Sequence, residues 1–219
     1  MKIKCALGVA ATLITTPLVG LPAWGAPCVS APVAVYTAAG FSCSVDGFTF
    51  SNIVVNTTVS NGGSVTLGNF TPVNPLPGEF GLLLNYTALA PTANATADVA
   101  WTYNVAGSFI NDAFLALAGN TTGSGQAQVS EPLSNGIVLS LNAPGSTTAT
   151  FAPTSSLFVM NDQIDFVGAA GGTSTTSALT NAFSLVPVPA PIVGAGLPGL
   201  VVSCGGLAAL ARRRRRRVA

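Results

Sequence analysis

The side chains of this sequence best equipped for chemistry are seven carboxylates: Asp46, Glu79, Asp98, Asp112, Glu131, Asp162 and Asp165. Two carboxylates flanking a bond are the minimum for general acid–base hydrolysis of a glycoside, but no motif singles out a pair. Asp162 and Asp165 are the closest, and with the carbonyls of a turn at Asn161 to Gln163 they would offer oxygen ligands to Ca²⁺. Residues three apart on a strand point to opposite faces, so the two read as solvated loop acids, with the Ca²⁺ site as the alternative. Most other chemistry lacks a partner. With no His in the chain there is no Ser-His-Asp or Cys-His activation and no imidazole metal ligand. Between Cys5 and Ala211 there is no Lys or Arg, which removes Schiff bases, Ser-Lys dyads and phosphate-binding lysines. No catalytic residue, metal site or cofactor is assigned, and the expectation is a protein that is not an enzyme. A carboxylate-only hydrolase is the remaining enzymatic alternative.

Positioning these residues falls to an all-β body. From Gly47 to Val186, short segments rich in Val, Thr, Phe and Tyr alternate with Gly, Asn, Pro and Ser clusters. The clearest strand is Ala97 to Ala106, where Val99, Trp101, Tyr103 and Val105 alternate with Asp98, Ala100, Thr102 and Asn104. That alternation places Trp101 and Tyr103 in a core, although an exposed face would let them stack on sugar rings. Further strands are expected at Phe48 to Val55, Ser64 to Phe70, Gly81 to Thr87, Ala113 to Ala118, Ile137 to Leu141, Leu157 to Met160, Ile164 to Val167 and Ala178 to Val186. About nine strands of this length suit a two-layer β-sandwich. Asp46-Gly47, Asn61-Gly62 and Asn135-Gly136 carry the chemistry of type I′ hairpin turns. Pro75 to Gly78 and Ala143 to Gly145 mark further breaks, and Gly168 to Ser177 is the longest expected loop.

The two ends have a different character. Lys2 and Lys4, an apolar run from Cys5 to about Val19 and the small residues around Ala23 and Gly25 form a secretory signal, residues 1–25, with cleavage after Gly25. A retained N-terminal anchor is the alternative. The exported body is then residues 26–186, about 160 positions, enough for a single domain. Its charged side chains are all acidic, so nucleic acid is not an expected partner. Cys28 and Cys43 lie fifteen apart in a chain bound for an oxidising compartment, and a disulfide between them is expected.

After the body come Val186, Pro187, Val188, Pro189 and Ala190, a stiff extended stretch because each Pro fixes φ and restrains its predecessor. Ile192 to Ala211 follow, twenty uncharged and mostly apolar residues that as a helix would span about 30 Å, the thickness of a bilayer core. Arg212, Arg213, Arg214, Arg215, Arg216 and Arg217 close the tail as a stop-transfer cluster that stays inside while the body lies outside.

This order of Pro-rich motif, apolar span and Arg cluster, residues 187–219 with Val186 completing the motif, resembles the PEP-CTERM family of exosortase sorting signals. The name-giving Pro-Glu-Pro is absent, and Val186 to Ala190 are similar to the Val-Pro-Leu-Pro-Ala variant, with Val188 at the Leu position. The stretch Gly40 to Asn52 around Cys43 is loosely similar to the N-terminal part of such proteins. The resemblance implies a Gram-negative protein exported by the Sec machinery, passing through the inner membrane, handled near the Pro motif by an exosortase-type processing enzyme and delivered to the cell surface or exopolysaccharide matrix. A structural or adhesive role is expected. The alternatives are a carbohydrate-binding module with extracellular polysaccharide as partner, or an adhesin held by a permanent single-pass transmembrane helix.

Overall fold

A computed structural model of the chain describes residues 25–186. Residues 1–24 of the expected signal peptide lie outside that range. So does the expected tail, with Pro187, Val188, Pro189, Ala190, the apolar span and Arg212 to Arg217. Among the described residues no helix is long and apolar enough to cross a membrane.

The described chain is almost entirely β. In order the elements are β1 (Ala26–Pro27), β2 (Ala31–Pro32), the single-turn α1 (Val33–Tyr36), β3 (Ser42–Val45), β4 (Phe48–Ser60), β5 (Ser64–Val73), β6 (Glu79–Ala90), β7 (Thr96–Pro132), β8 (Val138–Leu141) and β9 (Gly145–Ser184). All nine strands belong to one hydrogen-bonded sheet. Two of them, β7 and β9, are far longer than an ordinary strand and each bends twice. Residues 96–106 of β7 lie between β4 and residues 156–166 of β9, which pair in turn with 125–130 of β7; β8 completes that run. A second run contains β5, β6, residues 174–184 of β9, 114–122 of β7 and 145–150 of β9. The sheet therefore curls onto itself in a sandwich-like way, with shifts of register where β7 and β9 bend.

The bends are where expectation and structure part. Gly168 to Ser177, expected as a loop, is continuous strand, and Ala97 to Ala106 and Ala113 to Ala118 belong to one strand. Gly123 (φ 57°) pairs with Gly172 (φ 144°) where both long strands turn. A Cβ on Gly172 would stand 2.2 Å from the Thr122 carbonyl oxygen, so a side chain there would push the two strands apart. Glycine clusters that look like loops in the sequence are here the corners of continuous strands.

The hairpin turns divide. Asp46-Gly47 and Asn61-Gly62 have positive φ at both residues, as a type I′ turn requires. At Asn135-Gly136 only Gly136 is left-handed, and the Asn135 side-chain oxygen instead accepts from Ile137 N at 3.1 Å.

Between the two runs lies an aromatic core. The Trp101 ring centroid is 4.9 Å from those of both Phe70 and Tyr103, while Phe50 lies between Tyr103 at 5.9 Å and Phe183 at 6.5 Å. Trp101, Tyr103, Phe50, Phe70 and Phe183 are all buried. Because they come from β4, β5, β7 and β9, removing one ring of this kind would cost about 3–5 kcal/mol through a cavity shared by both runs. The Cys28–Cys43 disulfide is formed, and Cys28 N donates to Ser44 O at 2.9 Å, so the start of the body is fastened to β3. A disulfide of this kind belongs to an oxidising compartment outside the cytoplasm.

Candidate functional site

The alternation that buries Trp101 and Tyr103 turns Asp98, Thr102 and Asn104 to the opposite side of the first run. Register then sets these residues in rows across neighbouring strands. Val54, Thr102 and Met160 form one row, and Pro132 beside Val138 continues it. Asn56, Ala100, Asp162, Ser130 and Ser140 form the next, followed by Thr58, Asp98, Ile164 and Gln128. On the far side of the apolar row, Asn104 pairs with Phe158. Val54, Val138, Phe158 and Met160 are exposed despite their size, 44% to 60% by relative area. The result is an open sheet face with an apolar ridge between amide and carboxylate rows.

Asp98 and Asp162 come together on this face. Burial, together with the neighbouring Asp162 carboxylate and a hydrogen bond to it, pushes Asp98 up to about 6. One Asp98 oxygen has no hydrogen-bond partner among the described residues. Such a face can place the C–H side of a polyol on the apolar ridge while its hydroxyls donate to carboxylate and amide oxygens. It offers no cation, because residues 26–186 contain none.

Beneath it, on the inner side of the same strands, lies a buried polar band that alternation alone did not reveal. Asp165 is fully buried and accepts from Ser174 Oγ at 2.5 Å, Thr176 Oγ1 at 2.6 Å and Gln163 Nε2 at 3.1 Å. The Tyr86 hydroxyl donates to Gln163 Oε1 at 3.1 Å. Further along, Asn161 and Asn181 exchange amide hydrogen bonds at 2.8 and 3.3 Å, and Asn181 also donates to Glu131. In the opposite amide orientation, the Asn161 oxygen accepts from Trp101 Nε1 at 3.1 Å. Burial holds Glu131 well above the usual carboxylate range, against the opposing hydrogen bond from Asn181, and burial also raises Asp165. The band joins the two runs with hydrogen bonds that are closed to solvent.

Asp162 and Asp165 are thus not both loop acids. Asp162 is exposed on the outer face, whereas Asp165 is an interior hydrogen-bond acceptor, and their opposed directions prevent them from holding one Ca²⁺ together. Among the described residues, no three His, Cys, Asp or Glu side chains gather as a metal cluster would. Trp101 and Tyr103 are core residues, as their alternation implies. Val186 is half-buried at the end of the described chain. A shallow groove of ≈ 460 Å³ opens beside α1, lined by Pro32, Val33, Ala34, Thr37, Val55, Leu67 and Gly68; it has no titratable lining residue.

No family model matches the chain, and no curated protein matches it. Several solved structures show a weak similarity to it. TmCBM61 in complex with β-1,4-galactotriose is 9% identical, with a TM-score of 0.30 over 58% of this chain and 86% of that one. The enzymatically active domain of bacteriophage CBA120 tailspike protein 4 is 18% identical, with a TM-score of 0.28 over 62% of this chain and 20% of that one. The CBM36-1 domain of a multidomain xylanase from the hindgut metagenome of Trinervitermes trinervoides is 14% identical, with a TM-score of 0.21 over 62% of this chain and 100% of that one.

Proposed function

We propose that this is a non-enzymatic, exported surface or matrix protein whose open sheet face binds a neutral extracellular polysaccharide. In this proposal residues 187–219 act as a PEP-CTERM-like sorting signal handled by an exosortase-type enzyme. The observation that carries the binding role is the face itself: Phe158, Met160, Val54 and Val138 stand exposed beside Asp98, Asp162 and Asn104. An isolated apolar side chain at a surface is ordinary, but an aligned row bordered by hydrogen-bonding groups is the pattern of a binding surface. An all-acidic body favours an uncharged glycan over an anionic one. The disulfide supports export, because it needs an oxidising compartment.

The test is retention of the purified protein in gels containing neutral or acidic polysaccharides, with terminal sequencing of the protein recovered from the cell surface. Expected are retardation by a neutral glycan and a C-terminus near Pro187 to Pro191 that requires the processing enzyme. Migration unchanged by every glycan would overturn the binding role. Surface protein still carrying Arg212 to Arg217 would replace the sorting signal with a permanent anchor.

A further inference from the structure

The charged side chains of residues 26–186 are all acids, so wherever two carboxylates meet they must be offset by hydrogen bonds, by a proton or by an ion from solution. Glu79 and Asp112 meet on the outer side of the second run. Glu79 begins β6 and pairs with Ser184, the last residue of β9, and residues directly opposite on antiparallel strands point to the same side. Phe183 points into the aromatic core, so Ser184 and Glu79 face outward. Ser184 N donates to Asp112 Oδ1 at 2.6 Å, and its hydroxyl lies 2.6 Å from Asp112 Oδ2 and 3.2 Å from Asn111 Oδ1. In a regular strand Asn111 and Asp112 would point to opposite faces. The shift of register between Ile110 and Asp112, at the first bend of β7, lets both reach the same hydroxyl.

This cluster has more acceptors than protons. The Ser184 hydroxyl has a single proton, so it cannot fully serve Asp112 Oδ2 and Asn111 Oδ1 at once. Glu79 is only 7% exposed, yet its Oε2 has no hydrogen-bond partner among the described residues. A buried carboxylate oxygen left in that condition is destabilising. Burial and the nearby Asp112 carboxylate hold Glu79 above the usual carboxylate range, as expected of two acids that face each other without a cation.

We propose that Glu79, Asp112 and Asn111 form a Ca²⁺ site that fastens the end of β9 to the start of β6 and the first bend of β7. Two carboxylates and an amide oxygen are hard ligands, and Ca²⁺ accepts such oxygens in irregular geometry with water completing its shell, whereas Mg²⁺ demands a near-ideal octahedron. Because the third ligand is an amide, the set differs from the clusters of three His, Cys, Asp or Glu that are absent among the described residues. Two acids give the affinity of an extracellular module, about 10⁻⁴ to 10⁻³ M. Ser184 is a positioning residue: its N–H and hydroxyl hold the Asp112 carboxylate beside Glu79. The site is separate from the face that carries Asp98 and Asp162 and does not depend on glycan binding.

The experiment titrates the full chain, purified in detergent and stripped with a chelator, with CaCl₂ or MgCl₂ at neutral pH, reading calorimetric heat and the thermal midpoint for wild type, E79Q, D112N and D162N. Wild type should bind a single Ca²⁺ and gain about 3–10 °C at about 10 mM Ca²⁺, with a smaller gain in Mg²⁺. E79Q keeps the shape of the side chain and removes its charge, so its metal-free midpoint should equal or exceed that of wild type while its Ca²⁺ affinity falls at least tenfold. D112N keeps an acceptor for Ser184 N and should lose affinity likewise, whereas D162N should respond as wild type. No heat and no shift in wild type would overturn the proposal, as would an undiminished response in E79Q and D112N. A response lost in D162N instead would move the ion to the Asp98–Asp162 pair, and equal gains from both metals in all four proteins would mean general screening of an acidic body; both would also overturn it.

Discussion

Ser174 Oγ donates to Asp165 Oδ1 at 2.5 Å across the interior, although only nine residues separate the two along β9. The strand leaves the first run after Asp165, turns at Gly171 and Gly172, and returns in the second run with Ser174 facing back. The bend and the hydrogen bond therefore require each other: the glycines let the strand fold back, and Asp165 holds the two legs together.

Substituting Asp165→Ala removes the acceptor of the Thr176 hydroxyl and the Gln163 amide in the interior, while Ser174 Oγ keeps the Gln126 carbonyl oxygen at 2.8 Å. A buried unsatisfied group costs about 1–3 kcal/mol, so two such groups should lower stability in urea unfolding by about 2–6 kcal/mol. D165N, which keeps one acceptor oxygen, should lose less. A D165A midpoint equal to wild type would show that the band contributes nothing to the joining of the two runs.

Stability should fall as pH rises. Burial raises Glu79, Glu131 and Asp165, and burial with the Asp162 carboxylate brings Asp98 to about 6 from 3.8. For a raised acid the folded state holds its proton longer than the unfolded state. Its stabilising contribution is complete below the unfolded pKa and is lost as pH climbs through the folded one. For Asp98 that window is about pH 4 to 6. Tyr36, Tyr86 and Tyr103 are raised by burial as well, adding a second decline in the alkaline range. Thermal midpoints should be highest near pH 4, and D98N should flatten the slope between 4 and 6. A midpoint that climbs from pH 4 to 7 would contradict this.

The disulfide closes a fifteen-residue separation, and cross-linking a loop of that size contributes about 3 kcal/mol in the chain-entropy model. C28S and C43S should each lower unfolding stability by that order, and the double variant by no more than either. Both cysteines are nearly inaccessible, so in the folded protein Cys28 and Cys43 should resist thiol reagents until reduced under denaturing conditions. Ready labelling of either residue without reductant, located by peptide mapping, would disprove the bond.

Much of the fold could be read from side-chain alternation. The strand around Trp101 and the turns at Asp46-Gly47 and Asn61-Gly62 follow directly from residue type and spacing. The long bent strands were hidden because Gly123, Gly171 and Gly172 serve as corners, and a corner glycine has the same sequence signature as a loop glycine. The buried band was hidden for another reason. Along residues 161–167 the polar Asn161, Gln163 and Asp165 face inward while Ile164 and Phe166 are only half-buried, which inverts the usual pattern. Only a partner on the returning strand makes that inversion affordable, and a partner made by a bend is not visible in local spacing. The open face is half legible: alternation along Ala97 to Ala106 turns Asp98 and Asn104 away from the core, but their alignment with Phe158 and Met160 depends on strand pairing.

That alignment gives the most direct test of the binding surface. Phe158 is 46% exposed and takes no part in the aromatic core, so F158A should leave the thermal midpoint nearly unchanged, within about 0.5 kcal/mol of wild type as expected for surface substitutions. If the face binds glycan, the same change removes an exposed ring from beside the apolar row, and a loss of about 1 kcal/mol or more would weaken affinity at least fivefold. D162N should weaken binding while preserving the fold, because Asp162 is exposed and its oxygens are available as acceptors. As a control, V59T alters an exposed residue at the far end of β4 and should bind as wild type. Equal retardation of F158A, D162N and wild type in the same polysaccharide gel would move the binding surface elsewhere on the body. Loss of binding in V59T alone would point to the β4 edge.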